Sequence, residues 1–289
     1  MSSMDAEVQW ITSDGLKLRL VAWGPREAPA IVMLHGLRSY AYTWEPVALP
    51  LLPHWRVIAL DQRGRGHSDW DPQRNYFADA YVRDLEALVD GLSLQRFVLV
   101  GHSMGGANAL VYASRHPDRL AALVVEDMGP GASAGGRGAD RIKRELRETP
   151  SSFASWEEAT AFWRKIRPDV SAAALQSRAT HSLKEEKSGR IVWRYDAEGI
   201  TEARLSARPE QVVDLWPHVE ALNIPTLLIR GANSDFLTAD IAREMCRRNP
   251  RILWRDIPSS THYVHDDNLP EFNFILQQFL EEIRPQIRS

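Results

Sequence analysis

The chain has 289 residues, 44% of them apolar and 25% charged, the balance of an ordinary globular protein of one or two domains. Thirty-five Lys and Arg against 38 Asp and Glu leave a formal charge of −3, so no cationic excess exists to neutralise a phosphate backbone and nucleic acid is not an expected partner. Cys246 is the single cysteine, which excludes an intrachain disulfide and a cysteine-based zinc site, and ten Trp is the one unusual count.

Met1 to Trp10 carries Asp5 and Glu7 and no apolar signal-like segment, and no stretch approaches the roughly 18 apolar residues of a membrane helix, so a cytoplasmic protein without membrane association is expected. Glu7 to Thr12 and Leu16 to Trp23 alternate apolar and polar residues around Asp14-Gly15, a hairpin signal. Ala30 to Leu34, Arg56 to Leu60 and Phe97 to Val100 are short, continuous and rich in β-branched residues, as strands covered on both faces of a parallel sheet must be. Asp79 to Leu92 and Ser103 to Arg115 supply the crossing helices, the second closed by His116-Pro117, and Leu120 to Val125 reads as another buried strand.

From Gly129 to Asp214 the pattern changes to a glycine-rich stretch followed by polar, helical segments bearing Trp156, Trp163 and Trp193, which predicts an insertion. The buried-strand pattern returns at Pro225 to Arg230 and Arg251 to Ile257. Glu271 to Ile283 then places Phe272, Ile275, Leu276, Phe279 and Leu280 on one helical face.

Gly101-His102-Ser103-Met104-Gly105 is a G-x-S-x-G run set between a predicted strand and a predicted helix. A serine on such a turn is held out into a cleft at a helix N-terminus, where free amides favour developing negative charge. The plainer reading, a tight turn with Ser103 as a simple helix cap, loses ground because other groups accompany it. His35-Gly36-Leu37 directly follows a strand, where a loop amide can reach over the serine, so Leu37 and Met104 are the candidate oxyanion donors. A serine also needs a base oriented by a third group. His262 follows the strand ending near Ile257, with His265 as its competitor. For the orienting acid, Asp235 follows the strand Pro225 to Arg230, while Asp127 and Glu126 border the same cleft; the chain order Ser, Asp, His favours Asp235.

With these blocks in hand, the sequence resembles the α/β-hydrolases that carry a helical cap after the sixth strand. The likeness rests on His35-Gly36, the Asp61 to Ser68 run (D-x-R-G-x-G-x-S), Gly101 to Gly106, Gly231 to Asp235 and His262 to Phe272. It implies a mostly parallel central sheet flanked by helices, with residues 1–128 and 215–289 forming the body and 129–214 the cap. It further implies Ser103 as nucleophile, His262 as base and acid, Asp235 as orienting carboxylate, and structural roles for Asp61 and Arg63. Thr261 stands where the family commonly has glycine before its histidine. Serine at the elbow, where epoxide hydrolases and haloalkane dehalogenases use aspartate, points to acyl transfer. The expected activity is therefore a cofactor-free, metal-free carboxylesterase acting on a small-molecule ester. C–C or amide cleavage by the same residues, and a hydrolase-like ligand-binding protein, are the alternatives. Substrate contacts are expected from Arg38, Trp163 and Trp193. The near-neutral charge suits a neutral or modestly polar ester better than a polyanion, and a homodimer through the cap stays open.

Overall fold

The computed structural model describes residues 6–168 and 170–287. β1 (Glu7–Ser13) and β2 (Leu16–Trp23) form the expected hairpin, turning through Asp14 and Gly15, both at positive φ. β3 (Ala30–Leu34), α1 (Glu45–Ala48), β4 (Arg56–Leu60), α2 (Ala78–Gly91), β5 (Phe97–His102), α3 (Met104–Arg115) and β6 (Leu120–Glu126) follow.

The inserted segment contains α4 (Arg137–Glu148), β7 (Ser152–Phe153), α5 (Trp156–Ile166), α6 (Ala172–Ser182), β8 (Leu183–Glu185), β9 (Ile191–Trp193) and α7 (Ala197–Leu205). It is not purely helical: β7, β9 and β8 pair antiparallel in a small sheet of their own. Trp193 on β9 is packed inside it against Phe153, Phe162, Trp163 and Tyr195, in an apolar cluster that also takes in Tyr76 and Tyr81 from outside the segment. The chain then returns through α8 (Trp216–Glu220), β10 (Thr226–Gly231), α9 (Ala239–Arg248), β11 (Ile252–Ile257), α10 (Val264–Asp267) and α11 (Leu269–Ile287).

The main sheet has the order β1-β2-β4-β3-β5-β6-β10-β11, antiparallel at β1, β2 and β4 and parallel from β4 onward. Alternation along its strands divides the core in two. Val32, Leu34 and Leu99 pack beneath α2 and α3, whereas Ile31, Met33, Val98 and Val100 pack toward α1 and α11. Burial on both faces explains why these strands read as continuous apolar runs. The parallel strands all end on one rim, where α/β sheets bind ligands. Among the described residues no helix is long and apolar enough to cross a membrane.

The Asp61 to Ser68 run holds one side of this rim. The buried Asp61 carboxylate accepts from Ala41 N (2.6 Å), His67 N (3.0 Å) and Arg19 Nε (2.7 Å). A Cβ on Gly66, which lies at φ +55°, would fall 2.3 Å from that carboxylate, so only glycine fits. Arg63 is fully buried and is matched by Asp84, Asp71 and Asp14.

Candidate active site

Ser103 occupies the turn from β5 to α3 with φ 53° and ψ −119°, a conformation rarely adopted by a residue with a side chain. The turn closes because its neighbours lack one: a Cβ on Gly101 would lie 2.4 Å from the Gly105 carbonyl oxygen, and one on Gly105 would lie 2.3 Å from that of Leu34. The Ser103 amide donates to the Glu126 carbonyl (3.0 Å), tying the turn to the end of β6.

The loop between β11 and α10 brings His262 to it. His262 Nε2 lies 2.8 Å from Ser103 Oγ. Burial pulls the imidazole well below its ordinary pKa, so the ring is neutral; Nδ1–H donates outward and Nε2 accepts the serine hydroxyl. That loop is anchored by Thr261, whose amide and hydroxyl both donate to Asp267 (2.8 and 2.5 Å). His102, beside the serine in sequence, turns away and donates from Nε2 to the His262 carbonyl (2.8 Å), and burial lowers it to about 4.

The residue that His262 meets through Nδ1 is Asp127, at 2.7 Å, and not Asp235. Asp127 immediately follows β6 at φ 48°, which swings its carboxylate back under the rim. There it also accepts from Ser234 Oγ (2.6 Å) and Gly231 N (3.1 Å). Burial pushes this carboxyl up, against the hydrogen bonds from Ser234 and Gly231 that pull it down. Asp235 faces the cap instead: Arg141 on α4 grips it through two hydrogen bonds of 2.8 Å, and those bonds lower its pKa. Both aspartates lie between Ser103 and His262 in the chain, so the order Ser, Asp, His does not separate them, and the expectation of Asp235 is corrected by the contact itself. Ser234 was not singled out from the sequence at all, since nothing in its local pattern separates it from any loop serine.

Glu126, the other acid at the end of β6, has a different partner. It accepts from the amide of His265 (2.9 Å) and from its Nδ1 (2.8 and 2.9 Å), so the two consecutive acids, Asp127 and Glu126, hold His262 in the loop after β11 and His265 in α10 respectively.

The loop after β3 lies across the elbow. His35 is fully buried and neutral, lowered to about 4 by burial; it donates from Nδ1 to Gly36 O (2.8 Å) and accepts Gln62 N at Nε2 (3.2 Å). The side chain braces the loop. Leu37 and Met104 both line the cavity at Ser103, and Met104 opens α3, so its amide precedes the helix's own ladder.

Ser103 stands where two lobes meet. The larger, of about 520 Å³, is walled by the cap and by the loop of His262, and includes Trp163. Its charges are largely matched: Arg38 is held by Glu145 and by Thr149 Oγ1 (2.8 Å), Arg167 by Asp267 (2.7 Å), and Arg178 by Asp266. Arg38 is therefore a link between the loop of Leu37 and α4 and not a free anion ligand. Trp193 does not line either lobe: its indole N–H is spent on the Pro150 carbonyl (2.7 Å) inside the cap core. The smaller lobe, of about 120 Å³, is mostly apolar and runs beneath α7.

A family model described as "alpha/beta hydrolase fold" matches residues 29–269. Among curated proteins, the chain is 31% identical over 233 residues to esterase Rv0045c of Mycobacterium tuberculosis, covering 78% of this chain and 73% of that one. It is 27% identical over 238 residues to 2-(acetamidomethylene)succinate hydrolase of Mesorhizobium japonicum, covering 82% and 83% respectively. Among solved structures, an alpha/beta hydrolase from Novosphingobium aromaticivorans superposes with a TM-score of 0.81 at 32% identity, covering 97% of this chain and 99% of that one.

Proposed function

Because this chain belongs to the alpha/beta hydrolase fold family, we propose that it is a serine hydrolase that cleaves a small carboxylic ester through an acyl-enzyme on Ser103. The observation that carries the reading is the unbroken line Ser103 Oγ, His262, Asp127, with contacts of 2.8 and 2.7 Å. The esterase relative supports it.

Ser103 Oγ attacks the ester carbonyl carbon while its proton passes to His262 Nε2. The amides of Leu37 and Met104 receive the oxyanion, each such donor typically contributing about 3 kcal/mol. The tetrahedral intermediate collapses, the C–O bond to the alcohol breaks, and His262 returns the proton to the leaving oxygen. Water then repeats the sequence on the acyl-enzyme: its proton goes to His262, its oxygen to the carbonyl carbon, and Ser103 leaves with the proton. Asp127 accepts from His262 Nδ1–H, holds the imidazole tautomer and balances the imidazolium as it forms. The neutral resting state of His262 is what a base requires.

A second reading, amide hydrolysis by the same residues, draws on the relative named as a 2-(acetamidomethylene)succinate hydrolase. Paired p-nitrophenyl ester and p-nitroanilide substrates of one acyl group separate the two.

A fluorophosphonate probe is expected to label Ser103, located by peptide mass mapping, and Ser103→Ala to lose about 10⁴-fold or more in kcat. Undiminished turnover in that variant would overturn the assignment.

A further inference from the structure

Arg65 differs from every other buried arginine near the rim. It is fully buried, yet each of its hydrogen-bond partners is neutral: Nε donates to Leu37 O (3.0 Å), Nη1 to Arg63 O (2.8 Å) and to the Tyr81 hydroxyl, and Nη2 to the Met104 thioether (3.3 Å). The rings of Tyr76 and Tyr81 flank it at 5.4 and 5.2 Å. Two residues earlier, Arg63 is equally buried and meets three aspartates. Among the described residues no carboxylate lies within ion-pair distance of Arg65. A buried cation without a counter-charge is costly to hold, and a thioether is a poor acceptor for it.

The smaller lobe places this cation beside Ser103. Arg65, Met104 and Ser103 share its wall, and Arg204 of α7 lines it as well, its guanidinium lowered by burial. None of the described residues that line the lobe is an acid, and Arg204 too has no carboxylate within ion-pair distance among the described residues. The larger lobe, by contrast, pairs Arg38, Arg141, Arg167 and Arg178 of its wall with carboxylates.

We propose that the smaller lobe is a carboxylate subsite: the acyl chain runs from Ser103 into it and ends in a carboxylate that replaces the Met104 thioether on Arg65 Nη2, faced by Arg204. The substrate class is then the half-ester of a short dicarboxylic acid. The inference rests on the reading of Ser103 as nucleophile for which end of the substrate enters, and on the two arginines for its charge. A single carboxylate fits this lobe, whose remaining walls are apolar.

The test compares mono-p-nitrophenyl glutarate with p-nitrophenyl pentanoate, which share a leaving group and chain length. Wild type is expected to favour the acidic ester by about tenfold or more in kcat/KM, the worth of one charge-assisted hydrogen bond. Arg65→Met is expected to remove most of that preference and Arg204→Gln part of it. Taking the ratio of the two esters cancels any disturbance that Arg65→Met transmits to Leu37. Should Arg65→Met not fold, the Arg204→Gln ratio carries the test, together with glutarate titration of Ser103→Ala followed by Trp fluorescence. Saturable glutarate binding, weakened by the added Arg204→Gln, supports the subsite even if Ser103→Ala were to keep its turnover and sink the hydrolase reading. Equal or better use of the neutral ester by wild type, or glutarate binding indifferent to Arg204, overturns it.

Discussion

The loops after β6 and β10 each carry an aspartate at the same rim of the sheet, one buried beneath it and one lining the larger lobe, and they put it to opposite uses. Asp127 is buried, bent back by a positive φ, and surrounded by Ser234, Gly231 and His262. Asp235 is partly exposed and fastened to Arg141 on the cap. The β10 loop nevertheless serves both: Ser234 supports Asp127, while its neighbour Asp235 docks α4. Position at a strand's carboxyl end brings an acid to the rim, but backbone direction decides which one faces the base.

Exchanging charge for neutrality at the two positions breaks the comparison most sharply. Asp127→Asn is expected to lower kcat/KM for a p-nitrophenyl ester by about 10³- to 10⁴-fold, because an amide cannot hold the required imidazole tautomer. Asp235→Asn should stay within about tenfold, since it removes only a partly exposed ion pair. The reverse order would return Asp235 to the base. A smaller loss, about tenfold, is expected for Ser234→Ala, which deletes one hydrogen bond to Asp127 and leaves the carboxylate in place. An unchanged steady-state rate would show that Gly231 alone positions the carboxylate.

The smallest effects are those of pH. His262 is held below its ordinary pKa, so it remains a neutral base as pH falls, and the acid limb of kcat/KM should lie below the ordinary imidazole value of about 6.5. His35 and His102 are lowered by burial to about 4, so the unfolded chain binds their protons first. Their contribution to stability is complete above about pH 6.5 and is lost as pH falls toward 4. His265 runs the other way: burial pulls it down, but Glu126 outweighs that and raises it, so its contribution is lost as pH rises through its folded value. Asp127, pushed up to about 7 by burial, works against this rise over the same window, so urea midpoints are compared in Asp127→Asn from pH 4 to pH 8, where they should rise between about 4 and 6.5; a flat profile there would contradict the neutral, buried state of His35 and His102.

Much of this was legible in the residues. β-Branched runs marked the strands of the sheet because burial on both faces demands them, and the glycines around Ser103 marked the elbow because no side chain fits there. The family resemblance and the matched model agree on the fold. What escaped was of two kinds. β7, β8 and β9 span only two or three residues each, too few for an alternation to register, so the insertion read as helical. The choice between Asp127 and Asp235 depended on one φ angle at a non-glycine residue, which leaves no trace in composition or spacing. Arg65 lay in plain view inside the Asp61 to Ser68 run, but only the absence of an acid beside it distinguishes it from Arg63, and that is a property of the folded chain.

The cap grips the body at two loops. Glu145 and Thr149 hold Arg38, in the loop of Leu37; Arg167 and Arg178 hold Asp267 and Asp266, just past His262. On the proposed function, a guest too bulky to seat beneath these contacts is expected to strain the loops of Leu37 and His262, and so to be turned over slowly more than captured weakly. Residues 129–214 would on that reading act as a gauge, registering a substrate by whether Ser103, His262 and the Leu37 loop come into line.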